Sequence, residues 1–472
     1  MKTLSRLLLL AACVASSSTW AINRSTPPVP GPIAPFAVPQ PATFVLDNGL
    51  TVHVFERHRA PLIDAVVVVR GGALADAPGA EGTAAALADM LTEGAGTRDA
   101  FAFDDAVQAL GARIDATIGW TSTTIAGSST SATTDAMLGM LADAITAPRL
   151  GDADWQRKQT ERLGELAVYR DDPRALASVA SVRAMFPTGR LSTSMLGTTA
   201  SVTALTTAQL KQAWQTRYRP DNATIVVVGD ITPAAARKSL ERAFGAWRAP
   251  KNALDRVAIP EAQALATTSV LLVDKPGAAQ SVLQVVGNVP SSLLPLDAPS
   301  AVVRTVLGGS FTSRLNTNLR EVHGYSYGAS YALELLPYRR SRVGTSVKSA
   351  VTIEAIGEIL KELKQIRDPI SAPELARARA YDSLGFPAVL DSGASAARAW
   401  SAWLDSGATI TDVASYMKRV GDVNDSVFLD AAKRLVDPDH VTIVVVGDAK
   451  TLAEPLRRFG EVRQVSAAEL LP

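Results

Sequence analysis

Apolar and polar positions alternate along the chain in a set order, short apolar runs first and longer amphipathic stretches after them, and this order occurs twice. Residues 44–46 and 51–55 flank Asn48-Gly49, a pair suited to the positive φ angles of a two-residue turn, which predicts an opening hairpin. The valine-rich run at 63–69 predicts a strand buried on both faces. Helical spacing over 83–91 and 103–110, a strand pair over 113–126, and helices near 135–145 and 155–169 come next. A core strand over 224–228 and a helix over 233–244 close the first unit, and apolar runs at 270–273 and 282–286 open the next. Strands followed by helix blocks predict an α+β fold, each half a largely antiparallel sheet packed with helices.

The halves are copies of each other. Residues 220–230 match 438–448 at nine of eleven positions, sharing Thr-Ile-Val-Val-Val-Gly-Asp at a spacing of 218. Solenoid repeats recur every ~20–50 residues, so this spacing indicates duplication of a whole domain. Leu91-Thr-Glu-Gly against Leu307-Gly-Gly-Ser, and helices beginning at Thr134 and Thr352, fall near the same offset. The expected division is 42–250 and 268–472, joined by a charged, proline-containing linker at 251–267.

Composition narrows the possibilities. A chain of 472 residues, 47% hydrophobic and 20% charged, can fill two ordinary cores. With 47 Lys+Arg against 46 Asp+Glu, no overall field recruits polyanions, and nucleic acid is excluded as an expected partner. Cys13 is the only cysteine, which removes intrachain disulfides, cysteine-rich zinc sites and a cysteine nucleophile from the body of the protein. Lys2 and Arg6, the apolar run 7–15, and small residues ending in Thr19 and Ala21 form a secretory signal over 1–21. Leu10-Ala11-Ala12-Cys13 also resembles a lipobox, which would place a lipid anchor at Cys13. Either route leads to the periplasm. No later run reaches the ~20 apolar residues of a membrane-spanning helix. Seven prolines within 27–41 make the segment 22–41 an extended spacer.

Several motifs together carry a family resemblance: Leu46-Asp-Asn-Gly-Leu-Thr-Val, the helix segment from Gly82 to Gly94, Gly111-Ala-Arg-Ile-Asp-Ala-Thr, Tyr218-Arg-Pro-Asp-Asn, Asp274-Lys-Pro-Gly-Ala-Ala-Gln-Ser and Gly308-Gly-Ser-Phe-Thr-Ser-Arg-Leu. From Phe44 to Arg463 the chain resembles the insulinase/pitrilysin family of zinc metallopeptidases. The resemblance implies two homologous α+β halves enclosing a peptide-binding chamber, completed by further halves from another domain pair or subunit. Active members carry His-x-x-Glu-His on the helix after the third strand. Histidines at i and i+4 share one face to bind zinc, and the glutamate is the general base. Here Ala85 stands at the first histidine position, Ala88 at the base and Asp89 at the second histidine position. Glu161 and Glu165 stand where a third ligand is expected, yet one carboxylate plus Asp89 is short of the three protein ligands of a catalytic zinc. These two glutamates read as a solvated helix face. His53 and His58 have no partner at helical ligand spacing. No metal ligand and no catalytic residue is therefore expected in this chain. No Gly-x-Ser-x-Gly elbow or glycine-rich phosphate loop offers another chemistry. The acid pairs Asp104-Asp105 and Asp171-Asp172 read as helix caps or exposed turns.

The second half retains a segment similar to the family's Leu-Arg-x6-Tyr stretch, with Arg320, Gly324 and Tyr327 in register. By that resemblance Arg320 and Tyr327 contact the substrate peptide, with the tyrosine able to hold a developing oxyanion. On the residues alone, Arg320 is a dipole-favoured residue in a last helical turn and Tyr327 a half-buried strand residue. His323 reads as an exposed turn residue, and Gly308-Gly309 as a close backbone approach where the two halves face each other. The expected function is a non-catalytic, substrate-binding subunit of a heteromeric periplasmic zinc metallopeptidase, with zinc in a homologous partner subunit. The alternative is a structural or peptide-binding scaffold with no role in proteolysis. A homodimer with intrinsic activity would need a metal site that the residues do not provide.

Overall fold

The computed structural model describes residues 36–471. The expected signal at 1–21 with its Cys13, and most of the spacer, lie outside the described residues. Strands β1 (Ala42–Val45), β2 (Thr51–Glu56), β3 (Leu62–Arg70), β4 (Arg113–Ile118), β5 (Ser122–Thr130) and β6 (Ala223–Gly229) form one sheet in the order β1-β2-β6-β3-β5-β4. Strands β7 (Ser269–Asp274), β8 (Gln280–Asn288), β9 (Ser326–Glu334), β10 (Arg340–Lys348), β11 (Val441–Gly447) and β12 (Glu461–Ser466) form the second, in the order β12-β7-β11-β8-β10-β9. The pairs β2–β6, β7–β11 and β7–β12 are parallel and the others antiparallel. The repeated Thr-Ile-Val-Val-Val-Gly stretches become β6 and β11, every residue buried, as β-branched runs inside a sheet covered on both faces should be. The offset of 218 holds at both ends of four strand pairs: β2 and β7, β3 and β8, β5 and β10, β6 and β11.

The opening hairpin differs from expectation. Its connection runs over residues 46–50, with Gly49 donating to the Leu46 carbonyl at 2.9 Å and only Gly49 taking a positive φ, +94°. Asn48 serves both the turn, where its Oδ1 accepts from the Leu50 amide at 3.2 Å, and another element. Its side-chain amide donates to the carbonyls of Phe244 (2.8 Å) and Trp247 (3.2 Å), which ties the turn to the helix that closes the first half.

Five helices frame the sheets and the candidate site: α1 (Thr83–Met90), α2 (Asp152–Asp171), α3 (Pro173–Met185), α4 (Thr352–Gln365) and α5 (Gly393–Asp405). Two of them cross between halves. Helix α3, from the first copy, packs on β7, β8 and β11, with Leu176, Ala177, Val179 and Ala180 in one core with Leu271, Val273, Val444 and Val446. Helix α5, from the second copy, packs on β3 and β6, where Trp400 stacks on Phe55 with ring centroids 4.6 Å apart. Arg340 Nη1 donates to Ser181 Oγ at 3.0 Å, and Arg57 Nη1 to the Leu390 carbonyl at 2.8 Å. Each sheet thus completes its core with a helix supplied by the other copy. The linker at 251–267 carries neither helix nor strand. Among the described residues no helix is long and apolar enough to cross a membrane.

Candidate functional site

Helix α1 forms because four of its eight residues are alanine, the strongest helix former, and because its start is pinned. The buried Asp76 carboxylate accepts from the amides of Gly82 and Ala84, both at 2.8 Å, and from Arg190 Nη2 at 3.0 Å. Burial pushes the Asp76 carboxyl above its ordinary value, and Arg190 and the two amides offset only part of that. Gly82 lies at φ +92°, and a Cβ there would sit 2.5 Å from the Leu196 carbonyl oxygen, so this corner requires glycine.

Along α1 the face that begins at Ala85 continues through Ala88 to Asp89. Ala85 and Ala88 are fully packed, leaving methyl groups where a metal and its water would need donors. The Asp89 carboxylate is ion-paired with Arg162 of α2, whose side chain is only 4% exposed. One turn on, Glu93 takes Arg157 and Lys158, the latter at 3.1 Å. Helix α1 and the turn after it therefore supply carboxylates and α2 supplies cations, the reverse of a metal site in which α2 would supply a carboxylate. Two methyl groups and one carboxylate already matched by a guanidinium do not fit a zinc ion, which takes three protein ligands in catalytic sites. Among the described residues no group of three or more His, Cys, Asp or Glu is arranged to hold a metal.

Tyr327 lies in the other half, at the second position of the edge strand β9. The residue is 95% exposed, not half-buried as a strand position alone suggests, because it stands at the open start of the strand. The segment leading to it is held firmly. A π-helical turn, Thr317–Val322, ends with His323 donating to the Asn318 carbonyl at 3.1 Å and Tyr325 to the Leu319 carbonyl at 2.8 Å. Asn318 Nδ2 donates to Glu358 Oε2 (2.8 Å) and Glu362 Oε1 (2.7 Å) of α4. His323 lies 3.8 Å from Glu358 and stacks on Tyr325 at 4.9 Å. Tyr327 stands over a cleft of about 690 Å³ on the open face of β8, β10 and β9. Arg320 is not among the residues lining that cleft: its guanidinium lies 4.3 Å from the Phe311 ring centroid and 3.3 Å from Glu321.

A family model described as Insulinase (Peptidase family M16) matches residues 52–199, and one described as Peptidase M16 inactive domain matches residues 204–381. The chain belongs to the insulinase family. A protein named as an uncharacterized zinc protease from Mycobacterium leprae is 23% identical over 257 residues, 54% of this chain and 57% of that protein's length. Among solved structures, the peptidase M16 inactive domain from Pseudomonas fluorescens superposes with a TM-score of 0.78 at 20% identity, covering 86% of this chain and 98% of that one. The periplasmic protease PqqL from Escherichia coli superposes with a TM-score of 0.73 at 16% identity, covering 92% of this chain and 50% of that one. At these identities the structures establish the insulinase-family fold.

The remaining residues singled out from the sequence are scattered. Glu161 and Glu165 are both exposed on α2, Glu161 bound to Arg157 (3.0 Å) and Lys158 (3.1 Å). His53 is buried beside Thr43 Oγ1 at 2.9 Å, and burial lowers its pKa. His58 sits between Asp230 and Glu56, each 2.6 Å away, and those carboxylates raise its pKa. Asp172 caps α3 through the Arg174 amide. Gly308 does allow a close approach, but to β9 of its own half: a Cβ there would lie 2.4 Å from the Tyr331 amide nitrogen. The contact is thus within the second copy and not between halves, because the helix carrying Gly308 lies against β9. Sequence reasoning missed Arg162, although it stands one turn before Glu165 on the same helix. It also missed Arg342 and Lys348, which the period of two along β10 places on one face with Gly344 and Ser346.

Proposed function

We propose that this chain is a non-catalytic, substrate-binding subunit of a two-chain periplasmic zinc metallopeptidase, whose homologous partner carries the zinc-binding helix. The face of α1 carries this reading: Ala85 and Ala88 are packed and Asp89 is neutralised by Arg162, while the tyrosine segment of the second half is held in place beside an open cleft. The match to only half of the periplasmic protease from E. coli supports the pairing, since an equal length of that chain is left for a second unit of this size. Strand β9 ends its sheet; Asn316 already holds the Ala329 amide at 2.9 Å, while the start of the strand at Tyr327 and Gly328 is exposed, so a substrate peptide can add there through main-chain hydrogen bonds that tolerate varied side chains. Tyr327, exposed at the start of β9, donates to the substrate carbonyl, and Arg320 contacts the peptide further along.

The test is metal analysis and peptide cleavage by the chain alone and after co-expression with a homologue bearing His-x-x-Glu-His. The chain alone is expected to hold no stoichiometric zinc and to cleave nothing, and the pair to cleave peptides in a chelator-sensitive way. In the pair, Tyr327→Ala is expected to lower kcat on the order of 10²-fold, the loss typical of an oxyanion donor. Chelator-sensitive cleavage by the isolated chain would reject the proposal, and an unchanged rate in the Tyr327 variant would favour the scaffold alternative.

A further inference from the structure

We infer, building on the peptide-binding reading above, that the cleft beside Tyr327 is selective for acidic peptides, segments whose aspartate or glutamate side chains face the sheet. The floor of the cleft is built from small and neutral side chains. Ser330, Gly344 and Gln284 lie in one row across β9, β10 and β8, with Ser346 and Gln280 further along. The bare backbone at Gly344 matters most, since a Cβ there would lie 2.7 Å from Arg342 Nη1. Arg342 can therefore lie flat along the floor. Glu334 Oε1 accepts from Arg342 Nε at 2.8 Å and fixes the guanidinium, leaving its Nη groups without a hydrogen-bond partner among the described residues.

Charge decides what this floor accepts. Glu334 also binds Arg340 Nε at 2.6 Å, so one carboxylate serves two guanidiniums and one positive charge remains in excess. Arg174 at the start of α3 and Lys348 at the end of β10 also line the cleft, and neither has an ion-pair partner among the described residues. Of the acids nearest Arg174 in sequence, Asp171 is paired with Lys275, and Asp172 caps α3 through the Arg174 amide at 2.8 Å, one carboxylate charge against the three cations of the cleft. No aspartate or glutamate lines the cleft among the described residues. The corresponding sheet face of the first half is different: Asp64 lies under α5, and Asp115 faces Arg398 at 3.7 Å. The cationic character is thus particular to the second copy. A fixed fork of donors flanked by two mobile cations is matched by carboxylates, which guanidinium groups bind through short charge-assisted hydrogen bonds. A volume of about 690 Å³ accommodates a short peptide segment.

The test is fluorescence anisotropy with the purified chain and three labelled peptides of one sequence, carrying three glutamates, three glutamines or three lysines at the same positions. The glutamate peptide is expected to bind about tenfold more tightly than the glutamine peptide, with the margin shrinking as salt is raised. In the variant Arg174→Gln/Lys348→Gln, both exposed positions, the margin should fall to within about twofold, and Arg342→Gln should do the same if it folds. Equal binding of the glutamate and glutamine peptides, tighter binding of the lysine peptide, or an undiminished margin in the double variant overturns the acidic preference and leaves peptide binding standing. Failure of all three peptides to bind overturns both.

Discussion

Asp89 and Arg162 are the residues on which the altered helix face turns. A buried guanidinium costs several kcal/mol of desolvation unless it is matched, and Arg162 Nε and Nη1 have no hydrogen-bond partner among the described residues. Asp89 therefore carries most of the compensation. Asp89→Ala is expected to lower stability by about 2 kcal/mol, within the ~1.5–3 kcal/mol of a hydrogen bond to a charged group. The measurement is the urea midpoint, which should fall with an unchanged slope. Removing both charges through Asp89→Ala/Arg162→Met should recover much of the loss, because no uncompensated charge then remains. An unchanged midpoint in the single variant would show that Arg162 is matched elsewhere. The departure from the family motif at Ala85, Ala88 and Asp89 was legible because the motif occupies one helix. Arg162 was not, since its partner lies 73 residues away on a different helix and only packing brings them together.

Strands and helices were legible from period and composition, down to the offset of 218 that four strand pairs keep. Which sheet each helix covers was not. An amphipathic pattern says that a helix has an apolar face but not which surface receives it. Helices α3 and α5 each take the sheet of the other copy. Trp400 anchors α5 on β2 and is 1% exposed. Trp400→Ala should cost about 3–5 kcal/mol, the range for large buried aromatics. Because α5 belongs to one copy and covers the other, calorimetry is expected to show one transition moved to lower temperature, not a first transition displaced from an unmoved second. The opening hairpin behaves in the same way on a smaller scale. Asn48-Gly49 does mark the turn, but Asn48 is used to cap the Phe244 and Trp247 carbonyls, a partnership across about two hundred residues that turn chemistry could not reveal.

Reciprocal exchange makes the two copies one folding unit despite the linker between them. Residues 251–262 are mostly exposed and carry no regular structure, which makes this segment the preferred site of proteolytic nicking. Limited proteolysis should yield two fragments that elute together in size-exclusion chromatography and separate only in denaturant. Fragments that separate in buffer would contradict the exchanged packing. The amino-acid order alone decided the duplication, the α+β class, most strands of the first sheet and the alanines at positions 85 and 88 of α1, because each is written in residues that neighbour one another along the chain. The tertiary structure alone decided which helix closes which core, that a guanidinium faces Asp89, and that Tyr327 rather than Arg320 borders the cationic cleft. Those outcomes depend on surfaces from distant segments fitting together, where apolar burial is non-directional and the partner is chosen by shape and charge in three dimensions.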